Sequence, residues 1–352
     1  MVAANPILGI ALHAVGALSA ALCYTPQKAT RGWSWQTYWL AQASVCWLVL
    51  PILGAWLTIP ELALVLAEAP VSAMRDAFLL GALYGVGGTA FGLAIRHVGF
   101  SLTYAIAIGI SCVLGTLLPP LFSGKLVSLF GRPGAGWVMA GIGIGTLGIL
   151  LSGLAGRLKE MDLGGETSGF NLGKGLPLCF LAGVLSAVYG FSLAAGQPVA
   201  DVAAAHGAGI FQGNIIYVFS NTGAFLSTGL YCLWLHMRHR TFSEYVELPA
   251  GPERSALPAN FALALLTGCL WYGQFFFYGL GHVRMGDYKF SSWGIHMIML
   301  VLFSTLVGVV LREWQGCRPR TWSSLGAALL VLLSAVLALA YGNYLGDSSV
   351  AH

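Results

Sequence analysis

The chain has 352 residues, 57% of them hydrophobic and only 9% charged, with 17 Lys and Arg against 13 Asp and Glu and a formal net charge of +4. Soluble domains carry about 25% charged residues, so this composition, with a mean hydropathy of +0.78, excludes an ordinary water-soluble fold and points to a membrane protein. The basic residues lie in loops between apolar runs, where they act as topology signals and give no reason to expect nucleic acid.

In chain order the apolar runs fall at 6–25, 37–58, 74–95, 101–122, 136–156, 175–196, 209–235, 260–280, 290–311 and 322–344. Each is near the ~20 residues that a helix needs to cross about 30 Å of hydrocarbon. A β-barrel would instead show alternating segments of ~10 residues. The expected fold is therefore an all-α integral membrane protein with ten transmembrane helices. No Lys or Arg precedes the first run, so it reads as a retained helix, not a cleaved signal peptide. Loops after odd-numbered runs hold Lys28, Arg31, Arg96, Arg157, Lys159, Lys174, Arg238, Arg240, Arg254, Arg312, Arg318 and Arg320, twelve of the 17 basic residues. By the positive-inside rule that side is cytoplasmic, and both termini are expected in the periplasm.

Internal similarity divides the chain. "GALSA" at 16–20 returns as "GVLSA" at 183–187, and in the third and eighth runs Gly81, Leu83, Tyr84, Phe91, Gly92 and Leu93 match Gly268, Leu270, Trp271, Tyr278, Gly279 and Leu280 in order. The polar, Gly-rich stretch at 157–173 separates the halves, which gives repeats at 1–160 and 161–352. With five runs apiece, the second repeat enters the membrane in the opposite sense, an arrangement typical of secondary transporters.

Seven scattered cysteines, with no C-x-x-C and no Cys/His cluster, give no metal site or cofactor. "GIGIGTLG" at 141–148 contains G-x-G-x-x-G but lies inside an apolar run with no strand before it, so Gly141 and Gly145 are expected to serve close helix packing. Every acidic residue falls in a loop or near a run's end. Proton carriers are then sought in His13 and His296, well inside their runs, and in Asp287 at the start of the ninth, two residues before Lys289. Neutral imidazoles bonded to a neighbouring helix are the alternative reading of both histidines.

"WYGQFFFYGLGH", residues 271–282, places Trp271, Gln274, Phe275, Tyr278 and His282 on one helix face. Similar mixed faces carry Trp293 and His296, His13 and Tyr24, and Asn214, Tyr217 and Asn221. Buried amides need partners, and flat rings beside amides suit a sugar, whose C–H face stacks while its hydroxyls take hydrogen bonds. Trp33, Trp35, Trp39, Trp314 and Trp322, near run ends, fit an aromatic belt.

The stretches "HAVGALSAALCYTPQK", "WSWQTYW", "GLAIRHVGFSLTYAIAIGISCVLGTLLPP", "LWYGQFFFYGLGHVRMGDYKFSSWGIHM" and "GVVLREW" closely resemble the bacterial L-rhamnose-proton symporter family of the drug/metabolite transporter superfamily. That resemblance implies a ten-helix inner-membrane carrier that takes up L-rhamnose, or a closely related 6-deoxyhexose, with a proton. His13, Tyr24, Trp271, Gln274, Tyr278, His282, Trp293 and His296 fall within the shared motifs. The expected partners are a sugar, a proton and the bilayer. Trp271, Gln274, Tyr278, Trp293, Asn214 and Tyr24 are the expected sugar contacts, and His13, His296 and Asp287 the proton-coupling groups. An exporter of drugs or metabolites on the same scaffold is the alternative. An intramembrane enzyme is not expected, since the sequence has no H-E-x-x-H, G-x-S-x-G or embedded Asp pair.

Overall fold

The computed structural model describes residues 3–23, 25–122, 124, 126–164, 171–247 and 256–348, and their regular structure is helical. The helices are α1 (Pro6–Leu22), α2 (Trp35–Ala43), α3 (Leu50–Thr58), α4 (Leu62–Glu68), α5 (Val71–Val98), α6 (Phe100–Phe122), α7 (Leu126–Phe130), α8 (Ala135–Asp162), α9 (Leu172–Ala195), α10 (Gln197–Ala205), α11 (Asn214–His239), α12 (Leu257–His282), α13 (Ser292–Val310) and α14 (Pro319–Ser348). A π-turn, Ser44–Val49, joins α2 to α3 without a break in the helix.

Among the described residues, nine helical stretches are long and apolar enough to cross a membrane: Pro6–Ala29, Trp35–Thr58, Val71–Ala94, Leu102–Phe122, Ala135–Asp162, Leu172–Ala205, Leu257–His282, Tyr288–Val310 and Pro319–Gly346. Ten were expected from the sequence. The difference is α11, which at 26 residues has the length but buries Asn214, Tyr217, Ser220, Asn221 and Thr228 along one side. Those polar groups lower its mean apolarity. Large apolar side chains elsewhere stay exposed, Trp56, Leu57, Phe180, Leu330 and Leu337 among them. In a multi-pass protein that is the surface lipid covers.

The chain forms two compact units, each drawing on both halves of the sequence. The first comprises Met1–Ala21, Gly87–Phe191 and Phe277–His352, and the second Leu22–Val86 and Ser192–Phe276. In the first unit α8 lies along α14 and α6, and α13 packs on all three. Gly141 allows the α8 contact: a Cβ there would stand 3.0 Å from the Leu339 nitrogen and 3.1 Å from the Ala335 oxygen. Gly145 faces Ile298 in the same way. Gly141 and Gly145, two of the four glycines in the 141–148 stretch, thus serve helix packing.

In the second unit α11 packs against α2, the π-turn, α3 and α10. Its core beneath α4 and α10 is built from small and branched residues, including Ala55, Val65, Val199, Ala203 and Ile215. The start of α2 is capped from another segment. The Glu244 carboxylate accepts hydrogen bonds from the Ser34 N–H (2.7 Å), the Ser34 hydroxyl (2.8 Å) and the Thr37 hydroxyl (2.5 Å). A carboxylate there satisfies free N–H groups and meets the positive end of the helix dipole.

Candidate functional site

In the first unit, α1, the end of α12 and the start of α13 bring His13, Tyr278, His282, Trp293 and His296 together. The Tyr278 ring is the hub: its centre lies 5.0 Å from His13, 5.6 Å from His296, 5.7 Å from His282 and 6.0 Å from Trp293. His282 stacks on it almost parallel, at 14°, while His13, His296 and Trp293 meet it edge-on. The His13 and His296 rings are 6.1 Å apart.

Burial makes this cluster chemically unusual. His13 is wholly buried and His296 is 2% exposed. Neither ring nitrogen of His13, nor Nδ1 of His296, has a hydrogen-bond partner among the described residues. A neutral imidazole carries one donor and one acceptor, and leaving them unpaired costs about 1–3 kcal/mol per group. Such a ring keeps hydrogen-bonding capacity that the described residues do not fill. His282 differs, because its Nδ1 lies 3.1 Å from the Ser292 hydroxyl.

α1 approaches α12 closely through Gly9 and Gly281. A Cβ on Gly281 would stand 2.7 Å from the Gly9 oxygen and 3.1 Å from Nε2 of His13. Trp293 is fixed by its indole N–H, which donates to the Ser111 carbonyl (3.1 Å) and lies 3.3 Å from the Ser111 hydroxyl. Its ring backs onto Gly115 and leans on Tyr189. Asp287 belongs to the 3-10 turn Gly286–Ser291 between α12 and α13, and its side chain lies outside the described ones. Tyr24 also lies outside the described residues.

In the second unit Trp271 sits in a nest of aromatic rings. Trp39 and Trp47 meet it edge-on at 5.6 and 5.5 Å, and Trp47 meets Tyr84 at 6.1 Å. Gln274, on the same helix, is 8% exposed. Asn214, at the start of α11, donates from Nδ2 to the Thr58 hydroxyl (2.9 Å) and so ties α11 to α3. Tyr217 packs on Phe275 at 5.8 Å. An open hollow of about 640 Å³ beside α4 is lined by Trp56, Ile59, Glu61 and Leu62 and includes none of the expected site residues.

Carboxylates with described partners are engaged elsewhere. Glu313 pairs with Lys159 and Asp162 with Arg318. Glu61 and Glu68 hold the two ring nitrogens of His206 at 3.0 and 2.8 Å. The Glu68 contact first, then Glu61, raises the His206 pKa above the ordinary 6.5. Among the described residues no group of three or more His, Cys, Asp or Glu is placed to hold a metal ion.

The sequence pattern did not single out Gln42, on α2, or Trp47, on the π-turn and 5.5 Å ring to ring from Trp271. The available signal was a tryptophan and a glutamine at mid-span, just before Pro51.

Residues 2–343 match the family model described as L-rhamnose-proton symport protein. The chain belongs to that family. It is thus a multi-pass membrane protein of a bacterial family of proton-coupled rhamnose symporters, which are transporters and not enzymes. The L-rhamnose-proton symporter of Cronobacter sakazakii is 35% identical over 337 residues, covering 94% of this chain and 97% of the relative. Those of Pectobacterium atrosepticum and Yersinia pestis are 34% and 33% identical, each over 95% of this chain and 98% and 97% of their own lengths. Membership gives the unpaired imidazoles and the aromatic nest a role to be sought in sugar and proton movement.

Proposed function

We propose that this chain carries L-rhamnose, or a closely related 6-deoxyhexose, across the bacterial inner membrane together with a proton. The observation that carries the reading is the pair His13 and His296, buried around Tyr278, with both ring nitrogens of His13 and Nδ1 of His296 without a partner among the described residues, in a chain of this family. His13 or His296 takes the proton, with Asp287 a further acceptor at the turn before α13. A buried imidazolium is costly in a bilayer interior, so protonation biases the carrier toward a conformation that relieves the charge. Each proton entering down a 100 mV potential supplies about 2.3 kcal/mol, which supports roughly 50-fold accumulation of a neutral sugar.

Trp271 and Trp293 offer ring faces to the sugar, and Gln274, Asn214, Tyr278 and Tyr24 offer hydroxyl partners. With its N–H committed to Ser111, Trp293 is left with stacking as its contribution. Helix α12 carries Trp271 and Gln274 as well as Tyr278 and His282, so movement of this helix links sugar binding to the proton. The architecture proposed is ten transmembrane helices, α11 supplying the tenth, in two inverted five-helix repeats, 1–160 and 161–352. Both termini lie in the periplasm, and transport runs by alternating access.

Counterflow of labelled L-rhamnose in proteoliposomes, competed by related sugars with and without a pH gradient, tests this reading. Exchange that a related 6-deoxyhexose suppresses and a pH gradient accelerates supports it. Efflux of apolar drugs with no sugar exchange would replace it with an exporter.

A further inference from the structure

Resting on the sugar-transport reading, we propose that Gln42 and Trp47 are hydrogen-bond donors to the hydroxyls of a neutral pyranose held against Trp39, Trp271 and Tyr84. Gln42 shares a face of α2 with Trp39, three residues before it, and Trp47 lies on the π-turn that follows. Pro51 has no N–H and, in a regular α-helix, its ring would strike the carbonyl four residues back, that of Trp47. The widened turn avoids this, with the Leu50 N–H reaching to the Val45 oxygen, five residues back. In an unbroken α-helix residues 42 and 47 would point about 140° apart. Here Trp39 and Trp47 both reach Trp271, at 5.6 and 5.5 Å. The Gln42 turn faces the same part of α12, since a Cβ on Gly268 would lie 3.1 Å from the Gln42 carbonyl oxygen. π-turns of this kind are frequent at functional sites.

Two donors are left open, one on α2 and one on the π-turn. Gln42 is wholly buried; its Oε1 accepts only the Cys46 thiol, at 3.5 Å, and its Nε2 has no partner among the described residues. Exchanging the amide oxygen and nitrogen leaves one of them equally unpaired. Trp47 is 1% exposed and its indole N–H also has no partner among the described residues. Donors buried this way bear the full desolvation penalty, which a ligand with acceptor oxygens removes. The surrounding rings supply the flat apolar wall that fits the C–H face of a sugar. No Lys, Arg, Asp or Glu occurs between residues 35 and 58, so this wall selects an uncharged ligand over a phosphorylated or acidic one.

The test uses the full chain purified in mild detergent, with L-rhamnose binding followed by calorimetry and tryptophan fluorescence for wild type, Gln42→Leu and Trp47→Phe. Both variants keep apolar bulk and delete a donor. The expected result is at least tenfold weaker binding in each, with Gln42→Leu melting at or above wild type because an unpaired polar group has gone, and Trp47→Phe melting lower only by the cavity its smaller ring leaves. Affinity within twofold of wild type in both variants would overturn the proposal. So would a Gln42→Leu variant that melts well below wild type or fails to fold, since that would mean the amide is satisfied within the fold. If wild type ignores L-rhamnose but binds another neutral sugar that the variants lose, the substrate reading fails and the assignment of the two donors stands. If wild type binds no neutral sugar, both fail.

Discussion

The imidazole of His13 meets the phenol ring of Tyr278 edge-on, with 5.0 Å between ring centres. Tyr278 also touches His282, Trp293 and His296, so one ring sets the positions of three imidazoles contributed by α1, α12 and α13. Its hydroxyl and its bulk are separable. Tyr278→Phe is expected to keep the melting temperature within a few degrees of wild type. Tyr278→Ala is expected to lose about 3–5 kcal/mol, the usual cost of emptying a buried aromatic site. Thermal melts of the two purified variants check the difference; equal melting would show that the ring is not the hub.

Gly281 controls how closely α1 approaches. In Gly281→Ala the new methyl would stand 2.7 Å from the backbone oxygen of Gly9 and 3.1 Å from the His13 ring, and backbone cannot swing aside as a side chain can. Overpacking of this kind costs about 1–3 kcal/mol. The variant should melt lower and show slower proton-driven uptake. Wild-type values for both would mean that the contact is slack.

Trp293 is held twice, by its N–H bond to Ser111 and by Gly115 behind the ring. Trp293→Phe forfeits the hydrogen bond, worth about 1 kcal/mol, and the ring's larger face. Gly115→Ala drives a methyl into the indole, and the expected loss of about 1–3 kcal/mol makes it the more damaging of the two. Denaturation of both variants gives the order, and the reverse order would contradict the packing argument.

His206 gives a pH signature apart from the buried histidines. Both its ring nitrogens face carboxylates, first Glu68 and then Glu61, and this requires the imidazolium, the only form with two N–H donors. Its folded pKa is raised above 6.5. The stabilisation is therefore fully present below pH 6.5 and is lost as pH climbs through the raised value. Wild type should lose melting temperature over that rise while His206→Gln stays flatter. Parallel profiles would remove the bridge from the account.

The transmembrane pattern, the aromatic face on α12 and the candidate histidines were legible in the sequence because each follows helical spacing within one apolar run. Gln42 and Trp47 were not, because an α-helical period puts them about 140° apart and no local pattern reports the π-turn that interrupts it before Pro51. On α11 the face of Asn214, Tyr217 and Asn221 was legible from its spacing, while Ser220 and Thr228, buried on the same helix, were not, since Leu226, Leu230 and Leu233 on its exposed side keep the local hydropathy up. His206 gave no signal because its carboxylate partners lie 138 and 145 residues away along the chain. The placing of Trp293 against Ser111 spans 182 residues, a separation no local pattern reports.

The most direct test of the account is L-rhamnose uptake into proteoliposomes under an imposed pH gradient, for wild type and for the double variant His13→Gln, His296→Gln. Wild type should accumulate the sugar above its outside concentration. The double variant should still exchange labelled for unlabelled sugar but fail to accumulate it. Accumulation by the double variant equal to that of wild type would contradict the assignment of the proton to these two imidazoles.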